Sequence, residues 1–510
     1  MQIKTEHSSI VLCTLNAKYI HSAFGLRYLK ANMGQLNEQT TLVEFTIHDH
    51  ILEMTEKLLS HNPTILGFGV YIWNVRETLA LMKTIRTISP NTILVIGGPE
   101  VSHEWQKQEI VEIADYLITG EAEVTFPKLC QSILMNDQPE AKVHYGVLPV
   151  VTDLVLPYSL YTDEDVQHRV MYVEASRGCP FKCQFCLSSL DKKVRNFDLS
   201  TLLVAFDDLI ARGATQFKFV DRTFNLKVKT SIAILEYFLT KLEEVPTLFL
   251  HFEMIPDRFP LELRDYVTRF PKGQIQFEIG IQTFNPDVAA RIQRRQNYTS
   301  LDDNIEFLRP TGVHLHTDLI IGLPGETVES FAKGFDKLVH MGVEEIQVGI
   351  LKRLNGAPIA MHSKDFEQVY SPNPPYEILA NSVLSFTTLA RLRRFARYWN
   401  IIGNSGRFQS TLLLFLDQES PFYTFLDFSD WLYDVCGRTT KISYNKMLQY
   451  LQQFWTEVFK SDITPTLSLD YQRTTGKHHT PRFLVMTEPE KVKRSTSLQS
   501  RQRRHIQESR

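Results

Sequence analysis

At 510 residues the chain is longer than one hydrophobic core normally supports, so two or three domains are expected. Lys and Arg number 55 against 58 Asp and Glu, a net charge of −3, which excludes a general attraction to nucleic acid or anionic membrane and confines any such affinity to a local patch. Six cysteines exclude a disulfide framework, and neither a run of about 18 apolar residues nor a signal-type N-terminus occurs, so the expectation is a cytoplasmic protein without membrane partners.

Residues 1–147 alternate between two periodicities. Strand patterns at 9–15, 41–47, 64–70, 92–97 and 115–118 are separated by helical ones through Leu26, Leu29 and Met33, over 51–59 and over 75–88. Strands interleaved with helices imply an α/β fold with a doubly wound, Rossmann-like parallel sheet, whose ligands sit at the carboxyl ends of the strands. The loops there read NAKYIHS, GVYIWN, GGPEVS and TGEAE. Gly97-Gly98-Pro99 either lets backbone approach a ligand closely or only turns the chain. No G-x-G-x-x-G follows a strand and no G-x-x-x-x-G-K-[ST] is present, which argues against dinucleotide and P-loop nucleotide binding.

Residues 148–168, with Pro149, Pro157 and an acidic stretch, read as a linker. A strand at 171–174 then leads into EASRGCPFKCQFCLS, which spaces Cys179, Cys183 and Cys186 as C-x-x-x-C-x-x-C. Three thiolates make one metal-binding hook with a coordination position left open, and thiolates suit both zinc and an iron-sulfur cluster. Cys13, Cys130 and Cys436 are dispersed and read as small core residues. Further strands at 216–220, 248–253, 275–281, 314–321 and 345–350 alternate with helical patterns at 202–211, 230–242, 261–270, 302–308 and 331–340, about six strand-helix units. Polar residues cluster near the strand ends: Asp221 and Arg222, Glu253, Glu278 and Gln282, then Asp318, Gly322 and Glu326. Taken singly, such a carboxylate also serves as a helix cap or an ion-pair partner.

The cysteine spacing resembles the signature of the radical S-adenosylmethionine (SAM) superfamily, and QFEIGIQTFN (276–285) and GLPGET (322–327) are similar to its fourth- and fifth-strand segments. The resemblance implies a partial (β/α)6 TIM-like barrel over 169–370. It implies a 4Fe-4S cluster on Cys179, Cys183 and Cys186, with SAM contacts from Phe185, Asp221, Arg222, Glu278, Gln282, Arg294 (or Arg295), Asp318, Gly322 and Glu326. SAM would be cleaved to a 5'-deoxyadenosyl radical with an electron from a donor such as flavodoxin or ferredoxin, and no side chain is assigned as a general acid or base.

The loops ahead of the cysteines resemble the cobalamin-binding domain of one branch of that superfamily. By position, Asn16, Ala17, His21, Tyr71, Trp73, Asn74, Gly97, Gly98, Pro99, Glu100, Gly120 and Glu121 would line the cobalamin. The D-x-H-x-x-G motif that supplies a histidine to cobalt in many such domains has no match: Asp49 and His50 are adjacent, and His21 lies four residues before Gly25. No protein imidazole is therefore expected beneath the cobalt. The branch implies methylation or rearrangement at an unactivated carbon of a substrate, small-molecule or otherwise, that the residues do not identify.

Residues 371–487 read as mostly helical and aromatic-rich, with helices at 378–401, 425–436 and 445–459, placed to close over the barrel mouth. This region resembles an uncharacterised C-terminal extension of some cobalamin-type radical SAM proteins. Residues 488–510 form a basic tail expected to be disordered, with RNA contact as an alternative role. Two other readings stay open: a radical SAM enzyme whose first domain holds no cobalamin, and a non-enzymatic metal-containing module that binds RNA.

Overall fold

A computed structural model describes residues 8–476 and Leu484; the basic tail at 488–510 lies outside the described residues. The first unit is a six-stranded sheet of β1 (Ile10–Asn16), β2 (Thr40–Thr46), β3 (Ile65–Gly69), β4 (Ile93–Gly97), β5 (Tyr116–Thr119) and β6 (Val143–Tyr145). All its pairings are parallel, in the order β2-β1-β3-β4-β5-β6. Every residue of β1 is buried, because helices cover both faces. Helices α1 (Phe24–Ala31), α2 (Ile51–Leu59), α3 (Val75–Ile88), α4 (Glu109–Ile113) and α5 (Thr125–Leu134) divide between them. Met54, Leu58, Leu81, Met82 and Ile85 fill one core with α2 and α3, while Leu26, Phe126, Leu129 and Cys130 fill the other with α1 and α5. The strand order reverses between β1 and β3, which opens a crevice at their carboxyl ends. The sequence reading missed β6, whose three residues are too few to show a period.

After α6 (Asp163–His168), capped by a reciprocal Thr162–Asp165 box, the chain enters a second parallel sheet. This unit runs through β7 (Met171–Val173), a separate antiparallel ribbon of β8 (Ser176–Arg177) and β9 (Arg195–Asn196), α7 (Leu199–Ala211), β10 (Gln216–Phe219) and α8 (Val228–Glu244). It continues through β11 (Phe249–Met254), α9 (Leu261–Thr268), β12 (Ile275–Gln282), α10 (Pro286–Arg291), α11 (Tyr298–Leu308), β13 (His314–Ile321), α12 (Val328–Met341) and β14 (Glu345–Ile350). The order β7-β10-β11-β12-β13-β14 leaves β7 and β14 as free edges, so the barrel is partial. Alternate residues Phe217, Phe219, Phe252, Phe277 and Ile279 are buried in the main core. The intervening positions carry Lys218, His251, Glu278, His316 and Glu345, which join one another: Glu278 Oε2 lies 2.9 Å from His251 Nε2 and 3.3 Å from Lys218 Nζ, and Glu345 Oε2 lies 3.2 Å from His316 Nδ1.

The C-terminal unit begins with the antiparallel ribbon β15 (Val369–Tyr370) and β16 (Ile378–Ala380), followed by α13 (Phe386–Ile402), α14 (Gln409–Leu416), α15 (Pro421–Cys436), α16 (Tyr444–Val458) and α17 (Thr464–Thr475). Residues 378–380 are strand rather than helix, and α13 starts only at Phe386, after Ser385 caps it by accepting from the Thr388 amide. The helices do not close the barrel mouth as expected. They brace its β14 flank, where Trp399 Nε1 donates to the Ile346 carbonyl at 2.9 Å and the Phe335 ring packs edge-on to Phe395 and Trp399. The aromatic run thus serves as packing. Among the described residues no helix is long and apolar enough to cross a membrane.

The inward network makes a pH prediction. Burial opposes a charge on His316, but Asp318 and Glu345 outweigh it and push the imidazole up to about 10, against about 6.5 in an unfolded chain. A raised histidine stabilises fully below about pH 6.5 and loses that contribution as pH rises through about 10. Urea titrations from about pH 6 to about pH 11 will therefore show a stability gap between wild type and His316→Gln that is widest at the acid end and narrows steadily upward; a gap independent of pH would refute this.

Candidate functional site

The cysteine loop leaves β8 at Gly178 and returns to β9. Gly178 has φ +92°, and a Cβ there would stand 2.4 Å from the Lys193 carbonyl oxygen, so glycine alone lets the two limbs approach. The Cys179 amide then donates to the Asp191 carbonyl at 2.8 Å, and the Cys186 amide to that of Cys183 at 3.1 Å. Cys183 is buried and its two neighbours are half-buried. Burial pushes the Cys179 thiol up. Arg294 Nη1 lies 3.5 Å from Cys183 Sγ, and the Arg222 guanidinium sits in the field of Cys186 as well as 3.3 Å from Glu253. No three His, Cys, Asp or Glu side chains among the described residues converge as ligands of a single ion; a four-iron cluster makes a different demand, one thiolate per iron.

The three cysteines line a cavity of about 230 Å³ together with Phe185, Arg222, Glu278, Gln282, Arg294 and Asp318 of the predicted set, and with Phe181, Thr223 and Glu253. Burial works against ionisation of Glu278, but its bond from His251 and the nearby Lys218 prevail and hold the carboxyl down at about 2. Burial raises Asp318. Gln282 reaches the cavity because the β12–β13 register shifts between Gly280 and Gln282, where Gln282 takes φ +72°. Three predicted SAM residues lie elsewhere. Asp221 is buried and accepts from the Ala175 amide at 2.9 Å and the Ser176 hydroxyl at 2.6 Å, fixing the chain that leads into the loop. Gly322 lies under the Ile378 side chain, and Glu326 is pushed up to about 7 by burial and accepts from the Thr283 hydroxyl, so GLPGET is a packed turn behind the ribbon.

A second cavity of about 420 Å³ lies between the first sheet and the cysteine loop. Of the predicted cobalamin residues it takes Tyr71, Gly97, Gly98, Gly120 and Glu121. Gly98 passes so close to Val70 that a Cβ would come within 2.5 Å of its carbonyl oxygen. Asn16 instead donates to Glu44 at 2.7 Å, and Asn74 stitches Leu15 and Gly69 together at 3.0 and 3.1 Å. Trp73 is 45% exposed and stacks on Tyr71 at 4.4 Å. His21 turns to the barrel, its Nδ1 2.7 Å from the Tyr172 hydroxyl, with Ala17 half-buried in the same loop. Pro99 is exposed; Glu100 is buried and accepts from Tyr376 at 2.6 Å.

Sequence reading missed Leu12, Gly67, Gly69 and Phe126, which form the inner end of this cavity. A Cβ on Gly67 would meet Leu12 Cδ2 and Phe126 Cζ, both at 3.0 Å. The signal was present: two glycines two apart in the buried strand ILGFG share one face and hollow it. At the outer end Arg177 stacks over Tyr28 at 4.5 Å and pairs with Glu123 at 2.6 Å, Glu121 at 2.8 Å and Glu174 at 3.0 Å. Ser188 and Arg222 line both cavities, so the two adjoin.

Family comparison follows this division. The model of the radical SAM superfamily matches residues 173–338, and that of the B12 binding domain matches residues 10–130. Residues 173–338 are a radical SAM domain. A B12-binding domain precedes it, and residues 364–509 match a further family described as a protein of unknown function (DUF4080). A cobalamin-dependent radical SAM methyltransferase, TokK, from Streptomyces tokunonensis is 25% identical over 61% of this chain and 49% of its own length, so the chain spans about half of that relative. An uncharacterized methyltransferase, PH0819, from Pyrococcus horikoshii is also 25% identical, over 61% of this chain and 73% of its own. Among solved structures, the cobalamin-dependent SAM radical enzyme OxsB with aqua-cobalamin bound superposes with a TM-score of 0.62 at 14% identity, covering 95% of this chain and 82% of its own. TsrM from Kitasatospora setae, a radical SAM methyltransferase solved with cobalamin and a [4Fe-4S] cluster, gives 0.57 at 16% identity over 72% of this chain and 82% of its own. These likenesses establish the shared fold.

Gly178→Ala will destabilise the cofactor-free chain by about 1–3 kcal/mol more than Gly213→Ala, because both have positive φ but only Gly178 would clash. Denaturant midpoints of the two variants check this, and equal shifts would overturn it.

Proposed function

We propose that this chain is a cobalamin-dependent radical SAM enzyme that methylates an unactivated carbon. The observation that carries the reading is the meeting of the two cavities at Ser188 and Arg222: the one lined by three cysteines adjoins the one hollowed by Gly67 and Gly69. When bound, a reduced 4Fe-4S cluster supplies the electron that cleaves SAM to a 5'-deoxyadenosyl radical, and methylcobalamin supplies the methyl group.

The residues present fit those groups. Cys179, Cys183 and Cys186 would each hold one iron, with the guanidinium groups of Arg294 and Arg222 balancing thiolate charge. Phe185 offers an aromatic wall to adenine, while Glu278, ionised through its partners, and Gln282 offer acceptors and donors to the polar part of SAM. Phe181, Met254 and Ile255 line the same cavity with apolar surface that excludes water from a radical. In the larger cavity the Gly67–Gly69 slot between Leu12 and Phe126 would take the flat base of the cobalamin tail, and Tyr71, Gly97, Gly98 and Gly120, which line the same cavity, would hold the rest of the cofactor. His21, bound to Tyr172, does not line this cavity. Methyl transfer is favoured over rearrangement because TokK and TsrM are methyltransferases. A low-potential carrier such as flavodoxin or ferredoxin would deliver the electron.

Anaerobic reconstitution of the full chain tests the reading. About four irons and four sulfides, bound corrinoid and SAM cleavage are expected, with cleavage abolished in Cys183→Ala; an assembled cluster that leaves SAM intact would sink it. Gly67→Leu fills the slot, so it will weaken corrinoid binding about 10- to 100-fold while iron content stays at the wild-type level; unchanged corrinoid content would refute the slot.

A further inference from the structure

Gln184 stands between two of the cysteines, is buried, and is absent from the wall of the cysteine cavity. Both ends of its amide are engaged by the segment that crosses from the barrel to the C-terminal helices. Its Oε1 lies 2.6 Å from His362 Nε2 and its Nε2 donates to Met361 Sδ at 3.1 Å. Its backbone is also held: the Ile359 amide donates to its carbonyl at 2.8 Å, and its own amide donates to that of Ile292 at 3.0 Å.

A few residues earlier, the same segment grips the loop that carries Gly97 and Gly98. Arg353 Nη2 donates to Glu104 at 2.7 Å, the Gly356 amide to Glu104 at 3.1 Å, and Asn355 Nδ2 to Glu100 at 3.1 Å. Tyr376 returns to the same Glu100 oxygen at 2.6 Å. Glu100 is buried, so these bonds are made away from competing water and a missing partner would leave a carboxylate unsatisfied. Only Ala357 and Pro358 separate the bonds made by Arg353, Asn355 and Gly356 from those made by Ile359, Met361 and His362.

We propose that Gln184 is a positioning residue of the cysteine loop, set by residues 352–381, which act as a strap joining that loop to residues 97–104 of the B12-binding domain. The inference rests on the function proposed above. Side-chain bonds to residues adjoining metal ligands orient those ligands, and losing one costs about 10- to 100-fold in activity or affinity in metal sites generally. Because Gln184→Ala keeps both backbone bonds, the loop stays tethered while its side chains lose their reference.

The test uses the full chain, first without cofactors and then reconstituted. In Gln184→Ala, hydrogen exchange across residues 179–190 of the cofactor-free chain will be about tenfold faster, since local opening governs it. After reconstitution, iron and sulfide will match wild type, the paramagnetic resonance spectrum of the reduced cluster with SAM will change, and SAM cleavage will fall about 10- to 100-fold. Asn355→Ala, which touches no cysteine, will speed exchange in the same peptide, and His362→Ala will reproduce both effects should Gln184→Ala fail to fold. Wild-type exchange and wild-type resonance in Gln184→Ala, or in His362→Ala if that variant stands in, would overturn the proposal. A wild-type chain that builds a cluster but cleaves no SAM would instead overturn the function proposed above.

Discussion

Arg177 lies two residues before Cys179 and brings one guanidinium among three carboxylates: Glu174 from its own segment, and Glu121 and Glu123 from the loop after β5. Charges leave water only if they are paired and hydrogen-bonded, and here each depends on the others. Removing the arginine would leave carboxylates stranded at a domain junction; removing the carboxylates would strand the arginine. Arg195 on β9 adds a second cation, bonded to Glu121 and to Asp191 at 2.8 Å. Burial still dominates at Glu174, whose pKa is pushed up to about 7 despite Arg177. This cluster closes the outer end of the larger cavity and draws the cysteine loop against the first sheet, so the adjacency of the two cavities depends on it.

The two sheets solve different problems with the same parallel pairing. In the first, both faces are apolar, and Gly67 and Gly69 leave a hollow in the close packing opposite Phe126. In the second, one face is aromatic and the other polar, which is tolerable because nearly every inward charge meets an opposite one. Lys218 and His251 both bond Glu278, which lines the cysteine cavity. Held ionised, Glu278 presents a fixed acceptor whose orientation is set by two neighbours rather than by solvent.

Much of this was legible in the sequence, and the reasons differ by feature. Regular strand-helix alternation located the strands of both sheets except β6, because buried parallel strands are near-continuous apolar runs and amphipathic helices show their period. The cysteines declared themselves by spacing. Placing Gln282 depended on a register shift, and losing Asp221, Gly322 and Glu326 from the cavity depended on how chain beyond the strand ends folds back, neither of which periodicity encodes. Glu100 and Asn74 were read as ligand-facing because they sit in the correct loops; their side chains instead bind protein. The strap at 352–381 has no period at all, since its bonds are made by backbone and single polar side chains to partners far away in sequence.

That strap also explains how a helical unit whose described residues line neither of the two cavities bears on them. Arg393 of α13 pairs with Glu377 at 2.9 Å and donates to the Ile378 carbonyl at 3.0 Å, fixing the strap's exit. Ile378 in turn covers Gly322, whose carbonyl accepts from Asn381 at 3.3 Å. The helices grip the β14 edge through Trp399, so the strap is anchored to the barrel at its end, to the cysteine loop at Gln184 and to the B12-binding domain at Glu100 and Glu104. A displacement of the first domain relative to the barrel must therefore break bonds at Glu100, shift Gln184 or strain the ribbon. Because buried polar bonds are costly to leave unmade, the three units hold one arrangement in which the cavities meet.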